Sequence, residues 1–148
     1  MPTAAPAKPH VSECILVVED EPRLRKFACR SLATRGYSVL EAADAETAKN
    51  ILASRPDIDV LFSDIVMPGP MNGTGLAHWA AQHRPGLRVL LTTGFSEDVY
   101  VIDAMDKTAC PVLEKPYTQE RLLMAIRDLL DAPEAECARP GLPETAHI

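Results

Sequence analysis

The chain has 148 residues, 47% apolar and 24% charged, with a formal net charge of −6. That balance fits one globular domain and excludes disorder throughout, and an acidic surface repels phosphate backbones and anionic lipid, so neither nucleic acid nor a membrane is an expected partner. No apolar run approaches the roughly 18 residues of a bilayer span, and the N-terminus lacks the apolar stretch of a signal peptide.

The four cysteines, Cys14, Cys29, Cys110 and Cys137, form no C-x-x-C pair. Reduced thiols and a cytoplasmic location are expected, with the cysteines serving as small apolar residues. Proline and alanine crowd both ends, which predicts flexible tails over 1–11 and 133–148 around a compact domain over 12–132.

Within the domain, strand-like and helical patterns alternate. Cys14 to Val18 is a continuous apolar run, as in a strand buried on both faces of a parallel sheet. Leu24, Phe27, Ala28 and Leu32 then recur at helical spacing, and Gly36 ends that helix. Tyr37 to Leu40 reads as the second strand, and Ala45 to Ser54 as a helix with Asp44 as its N-cap. Val60 to Ser63 is the third strand, Gly75 to His83 the third helix, and Leu87 to Leu91 the fourth strand. Glu97 to Asp106 reads as a fourth helix, although Val99, Val101 and Ile102 are β-branched. Val112 and Leu113 mark a short fifth strand, and Leu122, Leu123, Ile126, Leu129 and Leu130 form an amphipathic fifth helix capped by Thr118. Such β-α alternation predicts a doubly wound α/β fold, with chemistry gathered at the carboxyl ends of the strands.

Those ends carry a short set of residues. The first strand runs into Glu19 and Asp20, the third into Asp64, the fourth into Thr93, and the fifth into Lys115. Three carboxylates on one edge repel unless a cation sits among them, and oxygen-only ligands suit Mg²⁺. A lysine and a threonine hydroxyl supply a cation and a donor for phosphoryl oxygens. Each residue alone has an ordinary explanation as a helix cap, a turn residue or a solvated loop. The coincidence at four strand ends is what favours a phosphoryl site.

The strings Leu16-Val17-Val18-Glu19-Asp20-Glu21, Asp64-Ile65-Val66-Met67-Pro68, Leu91-Thr92-Thr93-Gly94-Phe95 and Leu113-Glu114-Lys115-Pro116-Tyr117 occur in that order. Together they make the chain resemble the receiver domain of two-component response regulators over residues 13–131. The resemblance implies a flavodoxin-like five-stranded parallel sheet in order 2-1-3-4-5 with five flanking helices. It implies that Asp64 accepts a phosphoryl group and that Thr93 and Lys115 contact that group. Metal ligands for Mg²⁺ would be Glu19, Asp20, Asp64 and the backbone carbonyl of Val66.

Implied partners are a histidine kinase or histidine phosphotransfer protein, and a downstream protein docking on the fourth helix, fifth strand and fifth helix. A phosphorylation-dependent homodimer is a further expectation. The chain is then a phospho-accepting, single-domain signalling protein, not an enzyme acting on a separate substrate. The alternatives are a phosphate-independent interaction module, a receiver segment of a hybrid histidine kinase, and a phosphohydrolase. The last is disfavoured because Val66 stands where a second carboxylate is needed.

One position departs from the family pattern. Val112 occupies the position of an aromatic residue that moves with the threonine in many receivers, while Tyr117 follows the lysine; Tyr100 is read as an ordinary amphipathic contact in preference to a substitute mover. His78 and His83 carry no phosphorylation pattern and read as solvated surface residues.

Overall fold

The computed structural model describes residues 13–94 and 110–131. The strands are β1 (Cys14–Val18), β2 (Ser38–Ala42), β3 (Val60–Asp64), β4 (Arg88–Thr93) and β5 (Val112–Glu114). The helices among these residues are α1 (Pro22–Thr34), α2 (Ala45–Ser54), α3 (Gly73–His83) and α4 (Gln119–Asp131), the last being the fifth helix of the sequence reading. The expected helix over 97–106 and both expected tails lie outside the described residues. No helix among the described residues is long and apolar enough to cross a membrane.

All neighbouring strands are parallel, in the order β2-β1-β3-β4-β5. The expected strand order therefore holds. Side chains alternate between the two faces of each strand, so each face builds its own core. On one face Leu16, Leu61, Val89 and Leu91 pack with Ala48 and Leu52 of α2 and Leu76 and Ala80 of α3. On the other, Ile15, Val17, Phe62, Leu90 and Leu113 pack with Leu32 of α1 and Leu122 and Ile126 of α4.

Helix ends follow local chemistry, with some boundaries displaced from expectation. α1 starts two residues earlier than its first apolar position, because the Glu21 side chain accepts a hydrogen bond from Leu24 N at 3.0 Å and Pro22 suits the first turn. α3 likewise starts at Gly73, since Asn72 Oδ1 accepts from Gly75 N at 2.9 Å. The expected caps are present at α2, where Asp44 accepts from Thr47 N at 2.7 Å, and at α4, where Thr118 Oγ1 accepts from Arg121 N at 3.1 Å. Gly36, at φ 95°, takes the left-handed turn after α1 that a side chain would oppose. β2 runs on to Ala42 because Glu41 and Ala42 pair with Val17 and Val18.

Arg84, just after α3, closes the loop between α2 and β3. Its guanidinium donates to the carbonyls of Leu52 at 2.8 Å, Arg55 at 3.2 Å, Pro56 at 3.2 Å and Ile58 at 3.0 Å. The fork geometry has no equivalent in lysine. Arg84→Ala is expected to cost about 2–3 kcal/mol, with Arg84→Lys recovering little of it, as measured by urea unfolding.

Candidate functional site

The alternation that builds the two cores also decides what meets at the sheet's carboxyl edge. Ile15 and Val17 lead to Glu19, Phe62 leads to Asp64, and Leu113 leads to Lys115, so all three functional groups emerge on the α1/α4 face. β1 and β3 are neighbours, and β5 lies one strand beyond β4. Lys115 reaches back across β4 to Asp64.

Carboxylate oxygens of Glu19, Asp20 and Asp64 lie within 4.8 Å of one another. Glu19 and Asp64 are buried and Asp20 is exposed. Lys115 Nζ stands 3.1 Å from Asp64 Oδ2 and 3.2 Å from Glu19 Oε1, a single ammonium between two buried carboxylates. Glu19 Oε2 also accepts from Glu21 N at 3.2 Å. The Lys115-Pro116 peptide bond is cis, and Lys115 N donates to Thr93 O at 2.7 Å, tying the lysine to the end of β4.

Burial raises the Glu19 carboxyl to about 7, Asp64 adding to the rise and Lys115 opposing it. Burial also raises Asp64, against the pull of Lys115. Desolvation would lower Lys115, but the carboxylates of Asp64 and Glu19 outweigh it and hold the ammonium charged. The site therefore has more negative charge than its one lysine offsets.

A hard divalent cation fits that deficit. The donors are all oxygens, they converge on one volume, and the open side at Asp20 admits water, as Mg²⁺ requires. Since folded Glu19 keeps its proton to about 7 against an ordinary 4.5, the unfolded chain releases it first as pH rises. Metal-free stability is thus expected to fall between those values, by about 3 kcal/mol from Glu19, with Asp64 adding in the same direction. Saturating Mg²⁺ is expected to remove the decline; thermal melts from pH 5 to 8 with and without it make the measurement.

Other expected residues fall as follows. Thr93 is buried at the last position of β4. The Val66 side chain is 46% exposed and stands away from the core, so only its backbone is suited to the site. Val112 packs against the α2/α3-side core. Tyr117 fills the opposite one, with ring centroids 5.9 Å from Phe62 and 6.0 Å from Phe27. Tyr100 lies outside the described residues. His78 and His83 are exposed, and His83 stacks on Trp79 at 4.4 Å. Cys14 and Cys29 are free thiols, and burial pushes Cys29 up to about 11, so it is a poor nucleophile.

Arg25 and Gly73 had no motif to announce them, and Thr92 stood in the Leu91–Phe95 string with no role assigned. Arg25 donates through Nη1 to Glu19 O at 2.8 Å and through Nε to Glu41 Oε1 at 2.9 Å, anchoring the acidic turn to β2. Gly73 lets the start of α3 lie against the Asp64–Ile65 backbone, and Gly73 N donates to Ile65 O at 2.8 Å. Thr92 is buried beside Asp64 in the sheet.

The sequence model of the response regulator receiver domain matches residues 15–127. Sensor kinase CckA of Brucella abortus is 30% identical over 81% of this chain, which spans 13% of that protein. Response regulator receiver protein CpdR of the same organism is 32% identical over 80% of this chain and 97% of its own length. Response regulator MprA of Mycolicibacterium vanbaalenii is 35% identical over 78% of this chain, which spans about half (49%) of it. Among solved structures, a receiver domain protein from Clostridium thermocellum superposes with a TM-score of 0.73 at 28% identity, over 80% of this chain and 94% of that one. A receiver protein from Sinorhizobium medicae superposes at 0.74 and 26% identity, over 82% and 96%. With the parallel 2-1-3-4-5 sheet and the acidic edge facing a lysine, these matches establish that the chain belongs to the response regulator receiver domain family.

Proposed function

We propose that this protein is a single-domain response regulator that accepts a phosphoryl group on Asp64 in a Mg²⁺-dependent reaction. The observation that carries the reading is Lys115 Nζ, held 3.1 Å from Asp64 Oδ2 beside a cluster of buried acids. The extent of the likeness to CpdR, 97% of that protein, supports the single-domain form.

Glu19, Asp20 and Asp64, with the backbone carbonyl of Val66, would hold the cation. Bound Mg²⁺ would supply positive charge opposite the phosphoryl oxygens, the role metals play in such transfers. Asp64 is a weak nucleophile, but in-line phosphoryl transfer asks mainly for position. Lys115 provides that position and a charge for the equatorial oxygens. Once the acyl phosphate forms, about −1.5 to −2 units of charge replace a carboxylate. Thr93 at the end of β4 is the hydroxyl that turns to it, and the surface around β4 and β5 changes with it.

The donor is a histidine kinase or histidine phosphotransfer protein. The output is protein contact through the predicted helix over 97–106, β5 and α4, with a homodimer as one form of that output. The domain promotes only its own phosphorylation and dephosphorylation.

Acetyl phosphate tests the reading without a cognate kinase. Incubation with Mg²⁺ is expected to add one phosphoryl group by intact mass, and EDTA is expected to prevent it. No addition where a known receiver is modified would leave a phosphate-independent interaction module as the better description.

A further inference from the structure

Thr92 carries a buried hydroxyl that the site as described does not use. It is 1% exposed, and Oγ1 has no hydrogen-bond partner among the described residues. Its place in the sheet is specific. Thr92 is the register partner of Asp64 on one side and of Leu113 on the other. Register partners in parallel strands present their side chains to the same face, and Phe62 with Leu90, one pair earlier, both lie in the α1/α4-side core. Thr92 therefore shares the face of Asp64, on the strand that Lys115 crosses to reach Asp64 Oδ2 at 3.1 Å.

Shape alone does not account for this residue. Valine has the same branching and the same fit to a strand without burying a polar group. Buried hydroxyls in folded proteins find partners, and one left over beside a reactive group calls for an explanation in function. Resting Asp64 is occupied by Lys115.

Building on the proposed acceptor role of Asp64, we infer that Thr92 is a positioning residue whose hydroxyl is reserved for the Asp64 carboxyl during phosphoryl transfer. As an Asp64 oxygen bonds to phosphorus, the bond from phosphorus to the donor breaks, and its electron pair leaves with the donor. For acetyl phosphate the leaving group is acetate. Lys115 then follows the phosphoryl oxygens, and Asp64 gives up its resting partner. The Thr92 hydroxyl donates to the remaining carbonyl oxygen of Asp64, fixing the orientation of the acyl phosphate at the strand end. Thr92 acts through Asp64 and is distinct from Thr93, which continues the opposite face of β4 after Val89 and Leu91.

Thr92→Val and Thr92→Ser test this with wild type and Asp64→Asn alongside. Metal-free melting temperatures and phosphorylation rates at saturating Mg²⁺ and acetyl phosphate are the readouts. Thr92→Val is expected to melt at or above wild type, because it removes an unpartnered hydroxyl, while its phosphorylation rate falls about 3- to 10-fold. Thr92→Ser is expected to restore most of that rate. A valine variant with the wild-type rate overturns the inference and leaves the acceptor role of Asp64 standing. A valine variant that melts below wild type also overturns it, since the hydroxyl would then be bonded within the resting fold. Wild type that takes up no phosphoryl group overturns the acceptor role and this inference together.

Discussion

Asp64→Asn is expected to take up no phosphoryl group from acetyl phosphate, while folding at least as well as wild type. The amide matches the carboxylate in shape but has no anionic oxygen to attack phosphorus, so the loss is complete rather than graded. Stability is expected to hold for an electrostatic reason. Asp64 stands among the causes that push Glu19 upward, second only to burial. Removing its charge relieves that repulsion, and Lys115 keeps Glu19 Oε1 as a partner at 3.2 Å. Intact mass and a thermal melt on the same sample separate lost chemistry from lost fold. A variant that still gains a phosphoryl group would place the acceptor elsewhere in the chain.

Gly73→Ala is expected to lose about 3 kcal/mol of stability and at least tenfold in phosphorylation rate. A β-carbon at Gly73 collides with the carbonyl oxygen of Asp64 and comes within 2.8 Å of Ile65 Cα and 2.9 Å of Asp64 C. These are backbone atoms, which cannot turn aside as a side chain can. Either α3 retreats from β3 or the peptide after Asp64 moves, and that peptide adjoins the proposed nucleophile. Gly75 supplies the comparison within the same helix. Its added β-carbon meets mainly Met71 Cγ at 3.0 Å, in a flexible side chain. Gly75→Ala is expected to be near neutral, since alanine's helix preference offsets the crowding. Equal losses at both glycines would point to general crowding along α3 rather than the approach to Asp64. Urea unfolding and the acetyl phosphate rate distinguish the two.

Much of this protein was legible from local pattern. Apolar runs such as Cys14 to Val18 declare buried strands, and Asp44 and Thr118 declare helix starts, because strand burial and capping act over a few residues. The acidic residues after the first and third strands and the lysine after the fifth were readable for the same reason. A parallel sheet delivers every strand to the same edge. Boundaries were less legible where a partner strand or a capping side chain set them. β2 extends to Ala42 through pairing with Val18, and α3 begins at Gly73 under Asn72.

The chemistry of the site, by contrast, required residues distant in the chain to be placed side by side. That Glu19 holds its proton to about 7 follows from burial and from the charge of Asp64, which Lys115 only partly offsets, and neither residue is a sequence neighbour. That Gly73 must be glycine follows from how closely α3 approaches β3. That Thr92, rather than only Thr93, shares a face with Asp64 follows from the register of β3 on β4, which shifts every side chain to the other face if slipped by one residue. Sequence period sets which residues alternate; strand register sets which of them meet. The residue types of the proposed phosphoryl site were determined by the sequence, and their arrangement, charge balance and spare hydroxyl were decided only when the sheet brought its strands together.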